Sequence, residues 1–204
     1  MAVSLRQRIS LSVMGRAWLN AMATVHHYMH RPVHRRASPF GWAVNFDGEL
    51  YQPDGAPSGF IMFASIHYTR LRGEFGYVGL PTKWQVLSLS RLWLHDNLPR
   101  NSETVVIAKA LKQVQARWLE VHPPVDWNQP YQVRKIISYS DSRDHQGTIY
   151  RAANFREVGR TVSAARHKNT RGGGMDGAEL TCFVYDLPEP RPRATVQQQI
   201  ICVD

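Results

Sequence analysis

Asp141 closes the run Ile136–Tyr139 in the context Ser138-Tyr139-Ser140-Asp141-Ser142. A carboxylate just past a strand can face a cleft, where it accepts a proton or holds a metal ion. Ser-Asp-Ser is equally ordinary turn chemistry. Nine positions on, Tyr150 offers a phenol, either a proton donor or a core aromatic. Arg91 lies in Leu87–Leu94 (LSLSRLWL), a stretch otherwise apolar on one side, so its guanidinium requires an anionic partner. Asp141 is one candidate for that partner. His26 and His30, four apart, could share a metal from one helix face. No Cys accompanies them, and Pro32 would end the helix before His34, so a solvated basic surface is the simpler reading of the His26, His27, His30, His34 cluster. His145 reads as a loop residue, solvated or catalytic.

Other chemistries are excluded by what the sequence lacks. No Gly-rich phosphate loop, nucleophile elbow or helical His-Glu-x-x-His pair occurs. Cys182 and Cys202 are too few for a disulfide framework or a four-thiolate zinc site. Both sit in β-like apolar stretches without a neighbouring His, which favours inert buried thiols.

The elements that must position these residues follow from periodicity. Strands are expected at Phe60–Ala64, Leu87–Leu94, Ile136–Tyr139, Val158–Val162, Leu180–Tyr185 and Val196–Val203. Residues 52–59 are a turn-rich loop. A helix is expected over Ser102–Trp118, capped by Ser102, with Ile107, Ala110, Leu111, Val114 and Trp118 as its apolar stripe. A short helix starts over Thr148–Ala153. Leu5, Ile9 and Val13, followed by Trp18 and Met22, read as an amphipathic helix ending before Pro32. The expected organisation is a basic N-terminal helical arm, residues 1–46, followed by an α+β catalytic domain, residues 47–204. Its strand–helix–strand order predicts a central mixed, mostly antiparallel sheet flanked by helices.

The 204 residues carry 25 Lys and Arg against 16 Asp and Glu, a net charge of +9. Only five of the basic residues are Lys. Arginine's planar fork suits phosphate oxygens, and the excess points to an anionic partner. No acid precedes Asp47, while Arg31, Arg35 and Arg36 cluster near the His residues. Such an acid-free start also resembles a mitochondrial transit peptide, a reading ranked below an anion-binding face. No apolar run is long enough to span a membrane, and Arg6, Arg8 and Arg16 interrupt any secretory core. The expected setting is cytoplasmic.

The order from Leu87 through Asn154-Phe155 resembles the GNAT acyltransferase superfamily. That resemblance implies that Arg100, Asn101 and Ser102, at the turn before the long helix, hold the diphosphate of an acyl-CoA-type donor with Arg91. Here the turn lacks the usual glycines, and Glu103 would oppose a diphosphate. Tyr150 is then the acid that protonates a departing thiolate. Asn154 stands where a Gly is usual, a change its tolerance of left-handed backbone allows.

A more specific resemblance covers residues 63–161. His67-Tyr68, Leu89-Ser90-Arg91-Leu92-Trp93, Pro99-Arg100-Asn101-Ser102-Glu103, Ser138 to Ser142 and His145 to Ala152 resemble the Mom family of phage DNA-modification proteins. It implies a GNAT-like fold, a duplex DNA substrate, and conversion of adenine to its N6-carbamoylmethyl derivative, which protects phage DNA from restriction in an infected bacterial cell. It also implies catalytic roles for Asp141, Tyr150, His67 and Tyr68. DNA binding is expected from Arg31, Arg35, Arg36, Arg151 and Arg156; a metal ion at Asp141 stays open. The rival functions are an N-acetyltransferase for a small amine or protein lysine, and a non-catalytic DNA-binding protein.

Overall fold

A computed structural model describes residues 3–34, 37–66, 85–122, 132–143, 145–162 and 179–188. In chain order the elements are α1 (Leu5–Arg8), β1 (Ile9–Met14), α2 (Arg16–Val25), β2 (Phe40–Phe46), β3 (Gly59–Ser65), β4 (Val86–Leu94), α3 (Ser102–Val121), β5 (Lys135–Asp141), α4 (Thr148–Ala152), β6 (Arg156–Val162) and β7 (Glu179–Asp186). The strands form one sheet in the order β1-β2-β3-β4-β5-β7-β6. Every pairing is antiparallel except β4 with β5. A parallel pair needs a crossover, and α3 supplies it. The fold is thus α+β with a mixed, mostly antiparallel sheet, as the element order predicts.

Strand β3 shows why the sheet lies between helices. Its run Phe60 to Ala64 is apolar at every position, because both faces are covered. Phe60, Met62 and Ala64 join Leu19 and Ala23 of α2 in one cluster. Ile61 and Phe63 point the other way, into the cluster that holds Val106, Ile107, Ala110, Leu111, Val114 and Trp118 of α3. The α3 stripe recurs at spacings of three and four, and it is the stripe the sequence predicts with Val106 added. The helix cap moves by one residue. Asn101 takes the cap position with a left-handed backbone (φ 70°), while buried Ser102 turns its Oγ to the Pro99 carbonyl at 2.6 Å.

The N-terminal helix expected from Leu5 to before Pro32 is corrected. Ile9–Met14 is an edge strand paired along its length with β2, and only Arg16–Val25 is a sizeable helix. Ile9, Leu11 and Val13 alternate with Ser10 and Ser12, a period of two. Asn45 of β2 donates to Ser12 Oγ at 2.8 Å and Ser10 Oγ at 3.3 Å, which gives the serine face a partner. Residues 1–46 therefore contribute two of the seven strands rather than a helical arm. The expected strand Val196–Val203 lies outside the described residues, as does Cys202; Cys182 is a buried free thiol on β7.

Asn154, in the turn after α4, has φ 64°. Asn154→Ala is expected to lower stability by about 1 kcal/mol, and Asn154→Gly to leave it nearly unchanged or raised, as a urea-unfolding midpoint would read.

Candidate active site

Strands β4 and β5 pair only at Val86 with Lys135, Leu87 with Ile136 and Ser88 with Ile137. Beyond that point they separate. The ladder of β4 with β3 also shifts register, because Met62 faces Arg91 and Phe63 faces Leu89, leaving Ser90 as the extra residue of a bulge. The separation opens a cleft of about 750 Å³ lined by the second half of β4, the end of β5, the loop to α4, the first turn of α3 and the residues after α2.

Tyr150 stands in this cleft on α4. Its ring stacks on Phe183 (centroids 5.2 Å, planes 29° apart) and lies 5.6 Å from Phe155. Burial pushes its hydroxyl up to about 12, a hydrogen bond with Ser138 pulls the other way, and Tyr28 adds to the rise. The phenol is therefore a neutral proton donor across the physiological range. Ser138 in turn donates to the Leu89 carbonyl at 3.2 Å, bridging β5 to β4 just where they part. The short helix is seated by Gly147, whose backbone (φ 70°) lies directly against the Phe183 ring.

Arg91 faces the same cleft. One Nη donates to the Ser90 carbonyl at 2.6 Å, while its buried Nε has no hydrogen-bond partner among the described residues. Burial lowers its pKa to about 10, Tyr28 offsets part of this and Arg31 adds to it, so the side chain remains a cation. The sequence requires an anion here and offers Asp141. That candidate is corrected: Asp141, 2% exposed, pairs with Arg143 instead. The Arg143 backbone N–H and Nε donate to its Oδ1 at 3.1 and 3.0 Å, and Nη2 to its Oδ2 at 2.7 Å. These bonds hold the carboxyl below its ordinary range. Asp141 thus lines the cleft and also builds the turn. Among the described residues, no ion pair with a carboxylate involves Arg91.

A depressed carboxyl contributes stability that is complete above its unfolded pKa and lost as the pH falls through the native one. Asp141→Asn removes that dependence. Between about pH 6 and about pH 3 the variant's unfolding midpoint is expected to fall less than the wild type's. Parallel curves would contradict the pairing.

His26 and His27 depart from the solvated surface expected of the histidine cluster, while His30 and His34 are exposed as expected. His27 is 4% exposed, and its Nδ1 accepts the Met29 N–H at 3.2 Å. Burial, then Arg91, lowers it to about 3, so it is neutral. His26 stacks on Trp93 of β4 with centroids 4.3 Å apart. Tyr28, 50% exposed, meets His145 edge-on at 6.0 Å. His26, His27, Tyr28, Trp93 and His145 all line the cleft, and of these the sequence offers only His145 as a catalytic candidate. The missed signal is aromatic content: His26-His27-Tyr28 directly follows the last turn of α2. No group of three metal-ligating side chains occurs among the described residues.

The remaining site candidates are dispersed. Arg100 is exposed beside α3, and Asn101 makes no side-chain capping bond, so no side chain of the cap covers the amides of the first turn. Glu103 of that turn lines the cleft. Arg31 is exposed. Arg151 donates to Glu157 and to the Gln146 carbonyl, both at 2.5 Å, and Arg156 lies 3.6 Å from Asp186. Arg35, Arg36, His67 and Tyr68 lie outside the described residues.

A mixed sheet whose fourth and fifth strands part around a cleft, with a tyrosine on the following helix, is the GNAT acyltransferase fold. Arabidopsis thaliana NAA60 in complex with acetyl-CoA superimposes with a TM-score of 0.56 at 13% identity, over 88% of this chain and 98% of that one. NAA60 with a bisubstrate analogue gives 0.55 at 13% identity, over 87% and 97%. Within this fold the chain belongs to the Mom protein family, which it matches over residues 11–177. It is 38% identical over 74 residues to the methylcarbamoylase mom of Escherichia phage Mu, a match covering 36% of this chain and 26% of that protein. The chain thus matches about a quarter of that relative's length.

Proposed function

We propose that this protein is a DNA-modifying transferase that converts adenine in duplex DNA to N6-carbamoylmethyladenine and so protects DNA from restriction. The observation that carries this reading is the cleft between β4 and β5, where a neutral tyrosine and an arginine with no carboxylate partner among the described residues face one space. Family membership supplies the substrate class.

For the carbamoylmethyl product the N6–CH2 bond would form as the C–S bond of a carbamoylmethyl thioether of CoA breaks and the thiolate departs; attack at an acyl-CoA thioester carbonyl would give an N6-acyl adenine instead. The chain fits a CoA-type donor in two respects. β4 beyond Ser88 has lost its strand partner on the β5 side, and the Arg91 Nε has no acceptor among the described residues. Arg100, Asn101 and Ser102 at the start of α3 would hold its phosphates, and Glu103 would oppose them there. Tyr150 gives its hydroxyl proton to the leaving group. Ser138 holds that hydroxyl in place; its own O–H, bonded to the Leu89 carbonyl at rest, can turn to the phenolate that the transfer leaves, and solvent returns the proton to Tyr150. Adenine's amino group is a weak nucleophile and is hydrogen-bonded within the duplex, so the base must leave the stack. Its proton goes to a base, for which His67 and Tyr68 are the family-derived candidates beside Asp141. With three donors on its carboxylate, Asp141 acts in this reading mainly by fixing the Arg143–His145 turn; the His145 N–H bonds to its carbonyl at 2.8 Å. Any metal would have to draw on residues beyond those described.

Phosphate contacts make binding electrostatic. Affinity for duplex DNA should fall steeply with salt, and Arg31→Ala should lower the slope of log K against log salt by about one. Arg151 and Arg156, already paired with acids, should contribute less than Arg31. Salt titrations by fluorescence anisotropy read both effects, and a salt-independent affinity would count against phosphate binding.

The reading is tested by expressing the protein with a plasmid and digesting the recovered DNA with restriction enzymes whose sites contain adenine. Resistance is expected. Complete cutting, with acetylated amines or proteins in the same cells, would replace this reading by the acetyltransferase one.

A further inference from the structure

We infer that four aromatic side chains in the cleft, His26 stacked on Trp93 and Tyr28 set against His145, form the receptacle for a nucleobase extruded from DNA. The inference deepens the function proposed above and rests on it.

The four rings reach the cleft from three separate parts of the chain. His26 and Tyr28 follow α2, Trp93 lies on β4, and His145 belongs to the loop between β5 and α4. All four line the cleft that holds Tyr150. They are arranged as a floor and a rim. The floor is the His26–Trp93 stack, with planes 25° apart, and Trp93 is backed by Phe60 at 6.4 Å. That backing fixes the plane of the floor. The rim is the Tyr28–His145 edge contact, joining the two walls across the cleft. Half of Tyr28 is exposed, although an aromatic of its size usually buries its ring.

The chemistry suits a nucleobase. Burial lowers the pKa of His26, so its imidazole is a neutral π-surface rather than a hydrated cation. Arg91, the cation in the same cleft, has no carboxylate partner among the described residues, so the space favours an anionic ligand beside the base. Stacking on aromatic rings accepts any base and needs no sequence readout.

The test uses two hairpin duplexes of the same sequence. One carries an extrahelical 2-aminopurine, already out of the stack; the other is fully paired. The wild type is expected to prefer the bulged duplex about tenfold, the scale of one base stacked on an aromatic ring, with quenching of the 2-aminopurine fluorescence. His26→Leu with Tyr28→Leu should bring the preference near unity without altering affinity for the paired duplex. Tyr28→Phe should retain the preference, and Arg31→Ala should weaken both duplexes alike. Should the double variant fail to fold, Tyr28→Leu alone, at a half-exposed position, should still lose most of it. Full preference in a folded leucine variant would overturn the inference. So would equal wild-type affinity for both duplexes, which would leave DNA modification standing. Failure to bind either duplex would overturn both.

Discussion

Tyr150→Phe is expected to lower turnover by about a hundredfold or more while the protein folds and binds DNA as before. The substitution keeps the ring on Phe183 and Phe155 and removes only the hydroxyl bonded to Ser138. Losing one such hydrogen bond costs about 1 kcal/mol, too little to unfold a typical domain. Steady-state kinetics beside a thermal melt separates the two effects. A tyrosine that merely fills the core would lose activity only as far as stability falls. The raised pKa adds a check on sign. A group whose folded pKa exceeds its unfolded value contributes stability that is lost as the pH rises from the unfolded pKa to the folded one. Between about pH 10 and about 12 the wild type should therefore lose stability that Tyr150→Phe keeps. Below that range the donor stays protonated, so Tyr150 should not produce an alkaline fall in rate near neutrality.

Gly147→Ala should be the most damaging small substitution near the site. A Cβ there would lie 2.2 Å from the Phe183 Cζ and 2.5 Å from its Cε2. The ring has no room to retreat: Phe183 is fully buried, Tyr150 stacks on it, and the Arg151 guanidinium lies 5.3 Å from its centroid. Left-handed backbone at a residue with a Cβ adds about 1–2 kcal/mol, and overpacking about 1–3 kcal/mol. A loss of roughly 2–5 kcal/mol is expected in urea unfolding, with turnover reduced further because α4 carries Tyr150. Gly147→Ala combined with Phe183→Leu should regain part of the stability. Wild-type stability in the single variant would contradict this account of how α4 is seated.

Much of this arrangement is legible in the residues. The α3 stripe and the alternation in β4 are local patterns that tertiary packing leaves intact. The N-terminal region is not, because two periodicities compete there. Leu5, Ile9 and Val13 fit a helix, yet Ile-Ser-Leu-Ser-Val fits a strand, and only the presence of β2 beside it decides. β2 itself, buried on both faces, offers no alternation to read. His27 was hidden for a related reason. Its charge state depends on burial by residues distant in sequence, so a histidine-rich stretch after a basic helix looks like solvated surface. Asp141 at the cleft is legible from its place after a strand, but its partner Arg143, two residues away, is not, because a buried Arg91 offers a competing long-range pairing. Asn154 needed no tertiary knowledge, since its left-handed tolerance is a property of the residue. The family resemblance supplied His67 and Tyr68, which periodicity alone would have left as strand residues.

Mass spectrometry of nucleosides tests the central claim most directly. DNA recovered from cells expressing the wild type, digested to nucleosides, should contain a deoxyadenosine whose fragmentation places a carbamoylmethyl group on N6. DNA from cells expressing folded Tyr150→Phe should contain little of it. Unmodified deoxyadenosine in the presence of soluble, DNA-binding wild-type protein would contradict the account.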